Sequence, residues 1–107
     1  MSFDPNVLSK EMTDAGYKWA DANATATQME EVKKILLSQL ALDFPTLSNA
    51  AATDKARAMP EYKEHIVGMC EARRKANRAQ VRYKALIALN EGRRTLEATR
   101  RAEMGMR

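Results

Sequence analysis

The sequence predicts an all-α protein. Two long helices fold back as an antiparallel, coiled-coil-like hairpin, with a short helix between them, and the hairpins assemble into an oligomer. Composition is the first reason: 18 alanines and 7 methionines stand against 4 glycines and 3 prolines in 107 residues. Alanine, methionine, glutamate, lysine and arginine are strong helix formers, whereas sheets need frequent turn residues and β-branched runs. The second reason is a regular apolar pattern over two long stretches. The third is punctuation, because the prolines bracket those stretches instead of interrupting them. The length allows a single domain, residues 1–107.

The first helix is expected over about 5–43. Asp4 is a suitable N-cap, because its carboxylate can accept from backbone N–H groups that the first turn leaves unpaired. Pro5 then occupies the first helical position, where its missing N–H costs nothing. Phe3 and Leu8 have the spacing of a hydrophobic staple. Leu8, Met12, Ala15, Trp19, Ala22, Ala26, Met29, Lys33, Leu36 and Leu40 alternate steps of four and three. That is the 3.5-residue period of a coiled-coil seam, broken in identity only by Lys33. Lys10, Asp14 and Lys18, and likewise Glu30 and Lys34, stand at the i, i+4 spacing of surface ion pairs. Gly16 is the one interruption, at about 1 kcal/mol relative to alanine.

Residues 44–59 form the break. Pro45 ends the first helix by disfavouring the α region for the residue before it. Thr46 or Ser48 is placed to cap a short helix reaching Ala58, the alternative for this stretch being an ordered loop. Pro60 opens the last helix, expected over about 60–103, with Glu61 and Glu64 at the positive end of its dipole. Tyr62, Ile66, Met69, Ala72, Ala76, Ala79, Tyr83, Leu86 and Asn90 form the second seam, richer in alanine than the first. Gly92 is a weak point in this helix and Gly105 a stop. A two-helix hairpin buries only one stripe per helix. Val7, Val32, Ile35, Leu37, Leu42, Val67, Val81, Ile87, Leu89 and Leu96 fall outside the seams, so a second buried face, and hence an oligomer, is expected.

Several function classes find no residues to support them. There is no phosphate-binding glycine loop, no HExxH, no CxxC and no GxSxG. Cys70 is the single cysteine, which excludes an internal disulfide and reads as a small apolar residue at an interface. The lone His65 lies half a helical circumference from Cys70 and reads as a rim residue. Glu30 and Glu31 lack the Glu-x-x-His pairing of bundle metal sites. No catalytic residue, metal site or cofactor is expected, and the chain reads as a non-enzyme. The N-terminus lacks an apolar signal core, and no stretch is apolar enough to span a membrane. A soluble, cytoplasmic protein is expected.

The net charge of +4 conceals a polarity. Residues 1–70 hold 7 Lys/Arg and 10 Asp/Glu, whereas residues 71–107 hold 11 Lys/Arg and 4 Asp/Glu. Arg74, Arg78 and Arg82 stand at i, i+4, i+8, with Arg73, Lys75 and Lys84 beside them. Arg93 and Arg94 repeat after seven residues as Arg100 and Arg101, and Arg107 extends the series. An arginine fork donates two N–H bonds to phosphate oxygens, and a row of them can follow a phosphodiester backbone without reading bases. Tyr83 offers a stacking face beside Arg82, although its place on the seam makes packing its first role. The same stripe would also serve as a solvated face paired with acidic surfaces of neighbouring subunits. Trp19 is read as core or subunit interface.

The segments YKWADANATATQMEEVKKILLSQL, ARAMPEYKEHI and RYKALIALNEGRRTLEATRRAEM resemble small helical proteins encoded near the homologous-recombination genes of tailed phages and prophages, and are similar to the UvsY recombination mediators. Trp19, the Arg57–Tyr62 segment and Arg93–Arg94 carry the resemblance. Met59–Pro60 departs from it, standing where the family has a Ser-Glu step. The resemblance implies an oligomeric helical protein in a bacterial host's cytoplasm that holds single-stranded DNA and helps load a recombinase or annealing protein. Two other classes fit the same residues: a virion scaffold or connector component that binds no nucleic acid, and an adaptor or inhibitor of a host protein.

Overall fold

Three helices account for nearly all of the described structure. The computed structural model describes residues 4–105. In chain order they are α1 (Pro5–Ala41), α2 (Asn49–Arg57) and α3 (Pro60–Gly105), and no strand occurs among the described residues. The Asp4 side chain accepts from the Asn6 backbone N–H at 2.9 Å, with Pro5 opening the helix behind it. Phe3, the other half of the expected staple, lies outside the described residues, as does Arg107. Leu8 is buried at 5% exposure.

α1 closes two residues earlier than the sequence suggests. Ahead of Pro45 the backbone tightens into i→i+3 bonds: Leu42 N–H to Gln39 O, Asp43 N–H to Leu40 O, and Phe44 N–H to Ala41 O. Ser48, not Thr46, caps α2, accepting from Ala51 N–H at 3.3 Å. Ala52 and Ala56 of α2 are buried. The Lys55 ammonium sits 5.7 Å from the Phe44 ring centroid and ties α2 to the turn before it. α3 continues through Gly92 without a break, because an isolated glycine costs too little to interrupt so long a helix.

The two seams face one another. Every one of the ten α1 seam positions and nine α3 seam positions is buried or half-buried, the polar Lys33 and Asn90 included. The contacts pair Met29 with His65, Glu30 with Arg73 and Trp19 with Tyr83. Small residues dominate the closest part: Ala15, Ala26 and Ala76 are at 3% exposure or less. Among the described residues no large side chain is fully buried.

The molecule is therefore long and thin. It measures 85 × 21 × 16 Å, with a radius of gyration of 23.6 Å. A compact chain of this length would have about 13 Å. Past Glu97 every described residue of α3 is exposed, so the end of α3 projects beyond its partner helix. Of the apolar residues outside the seams, Leu37 and Ile87 are half-buried at the seam edges. Val7, Val32, Ile35, Leu42, Val67, Val81, Leu89 and Leu96 remain exposed. Among the described residues no helix is long and apolar enough to cross a membrane.

Candidate nucleic-acid interface

The expected basic stripe divides into two kinds of residue. Arg74, Lys75, Arg78, Arg82, Lys84, Arg94, Arg100 and Arg101 are exposed along α3. None of them forms an ion pair with a described carboxylate. Arg74, Arg78 and Arg82 are separated by one helical turn each, about 6 Å of rise per step. Because four residues turn the helix slightly beyond a full circle, the row winds gradually around α3.

Arg73 and Arg93 depart from the stripe. Arg73 reaches across to α1, donating from Nε to Glu30 Oε1 at 2.8 Å and from Nη2 to Glu30 Oε2 at 3.0 Å. It also donates to Asn23 Oδ1 at 2.8 Å and to Thr27 Oγ1 at 3.3 Å. A guanidinium held this way has its forked donors turned to α1, so Arg73 acts as a clasp between helices. The hydrogen bond from Arg73, reinforced by its charge and that of Lys33, holds the Glu30 carboxyl below its ordinary value. The same bond raises Arg73. Arg93 is half-buried, bonding Glu97 at 2.9 Å one turn along its own helix and Asn90 Oδ1 at 3.3 Å.

The i, i+4 pairing expected of Glu30 with Lys34 is thus replaced by a bond across the hairpin. Lys10, Asp14 and Lys18 form no ion pair with one another. Local spacing offers an exposed pair only a few tenths of a kcal/mol, which a bidentate arginine–carboxylate contact at a half-shielded helix interface outweighs. The signal for Arg73 was its place seven residues after Ile66, which puts it on the seam side of α3.

The remaining singled-out residues also find places. The Tyr83 ring stacks on Trp19 at a centroid distance of 5.6 Å and an interplanar angle of 29°. Both rings are half-buried, so Tyr83 serves packing first. His65 Nε2 lies 2.7 Å from the Met29 carbonyl oxygen, a cross-helix contact that the sequence pattern did not show. Cys70 is exposed on α3. It lines a shallow groove with Met69, Arg74, Asn77, Arg78 and Val81, closed on the α1 side by Glu30. That groove sets the cations Arg74 and Arg78 beside apolar Met69 and Val81.

Compared with family models, curated proteins and solved structures, the chain matches none.

Proposed function

We propose that this chain is a non-enzymatic, self-associating helical protein that binds single-stranded nucleic acid along α3. The observation that carries this reading is the exposed row Arg74, Arg78 and Arg82, with Lys75 and Lys84, none of which is ion-paired with a described carboxylate. The order of the cross-helix contacts supports an antiparallel hairpin, a rigid rod on which such a row keeps a fixed pitch. The recombination role, loading a recombinase or annealing protein in a phage-infected bacterial cytoplasm, rests on the resemblance to the mediators.

Binding through phosphates is salt-sensitive and nearly blind to base sequence. The test is fluorescence polarisation of a labelled oligo-dT against salt concentration. Replacing Arg74, Arg78 and Arg82 together by alanine weakens binding and lowers the log–log salt slope by about 2, three contacts at about 0.7 each. Absence of salt-sensitive binding by the wild type at micromolar protein rejects the reading.

The long, thin shape with exposed valines and leucines favours a second reading, a structural helical component of a virion assembly that needs no nucleic acid. Replacing Arg74 and Arg78 alone by alanine separates the two, since it leaves assembly intact under the first reading and breaks it under the second.

A further inference from the structure

Two rows of exposed side chains run along one side of the rod. On α1, Val7, Asp14, Asp21 and Ile35 stand at multiples of seven residues, and all are exposed. On α3, Lys75, Arg82, Leu89 and Leu96 follow one another at seven, also exposed. In helices packed along a heptad seam, a seven-residue step returns to the same face. Asp21 and Lys75 line one groove together with Lys18 and Glu71, which places the two rows on the same side. Pro5, close to Val7, shares another groove with Leu89 and Leu96 and sets the relative height of the apolar ends. The groove of Cys70, Arg74 and Arg78 is a separate one that includes Glu30.

We infer that this side is the contact surface for a second copy of the chain, and that the assembly is a two-fold dimer forming a four-helix bundle. This deepens the self-associating reading above and rests on it, not on nucleic-acid binding. Charge fixes the arrangement. The α1 row is acidic in its middle and the α3 row is basic in its middle, so the face is complementary to itself. A two-fold axis along the rod lays α1 of one copy over α3 of the other. Asp21 and Asp14 then approach Lys75 and Arg82 of the second copy, and Val7 approaches its Leu89. An axis across the rod would instead lay α3 over α3 and α1 over α1, basic row along basic row and acidic row along acidic row, and like charges there repel.

Area supports the same occupant. The chain exposes 8386 Å². A globular monomer of 12.0 kDa exposes about 6,000 Å². The excess, about 2,400 Å² per copy and so about 4,800 Å² for a pair, falls within the total area that tightly held dimers bury. The groove with Arg74 and Arg78 lacks such complementarity, because the carboxylate lining it, Glu30, is already bonded to Arg73. It stays open for a polyanion in the dimer.

The experiment is light-scattering mass on the full chain and on two charge-swapped variants. The wild type has a mass of about 24 kDa, two copies of 12.0 kDa. Asp14→Lys with Asp21→Lys places lysines over the partner's basic row, and that variant is a monomer. Lys75→Glu with Arg82→Glu places glutamates under the partner's acidic row, and it is a monomer too. Mixing the two restores a mass of two copies, since each α1 row then meets an opposite α3 row. Circular dichroism confirms that both variants remain helical. As a control, Val67→Glu with Val81→Glu, outside the two rows, leaves the dimer intact. A monomeric wild type overturns self-association itself. A dimeric wild type whose charge-swapped variants stay dimeric, or fail to recombine on mixing, overturns this face alone. Loss of the dimer in the Val67, Val81 variant with retention in the charge swaps also overturns it. Polarisation with an Arg74→Ala, Arg78→Ala variant, which leaves Arg82 in the dimer face, tests the nucleic-acid reading separately.

Discussion

Glycine shows at the scale of single residues how a local preference is decided by what lies opposite. A Cβ at Gly68 meets only the Met29 Cε at 3.1 Å, the free end of a flexible side chain. Gly68→Ala therefore raises stability by up to about 1 kcal/mol, from improved helix propensity. A Cβ at Gly16 meets the Tyr83 ring at the same 3.1 Å, but that ring is stacked on Trp19 and has little room to retreat. Gly16→Ala gains nothing or loses stability. Denaturant titration of the two variants checks the contrast. The Glu30–Arg73 clasp makes a prediction with a definite sign. Because Arg73 holds the Glu30 carboxyl below its ordinary value, the unfolded chain takes up the proton first as pH falls. The clasp is present at neutral pH and lost on acidification through and below the ordinary glutamate range. Thermal melts should show Glu30→Gln less stable than wild type at neutral pH, and the difference should shrink in acid.

Helix ends show how well short-range chemistry was legible at the scale of elements. Asp4, Pro5, Pro45 and Pro60 act where the sequence places them, because capping and proline geometry depend on only a few neighbouring atoms. The choice between Thr46 and Ser48 was not legible, since both carry a hydroxyl near the start of α2. The chain path through Phe44 and Pro45 decides it, placing Ser48 directly before Asn49. Ser48→Ala is expected to cost about 1 kcal/mol, and Thr46→Ala much less, measured by chemical unfolding. In α3 a Cβ at Gly92 meets nothing within 4 Å. The seams were legible in full because the heptad period states which stripe of each helix must leave water. Which cations of the stripe point outward was only partly legible. Arg73 and Arg74 are neighbours in sequence, but a step of 100° sends one to Glu30 and the other to solvent.

The whole molecule is governed by its thinness. A core of alanines brings the helices close but removes little area from water, and the exposed valines and leucines mark what remains uncovered. If copies bury that surface, folding and association are coupled, and the thermal midpoint rises with protein concentration. A midpoint independent of concentration in a circular-dichroism melt at several dilutions would show that each hairpin is stable alone. The sequence by itself determined helix content, helix limits to within about two residues, the two seams and the charge polarity. Each follows from local propensity, capping or periodicity, which a linear chain displays directly. Only the tertiary structure decided that Arg73 clasps Glu30, that His65 meets the Met29 carbonyl and that Tyr83 lies on Trp19. Those contacts depend on the register between α1 and α3, a long-range quantity set by how alanines, glycines and rings fit together across the seam.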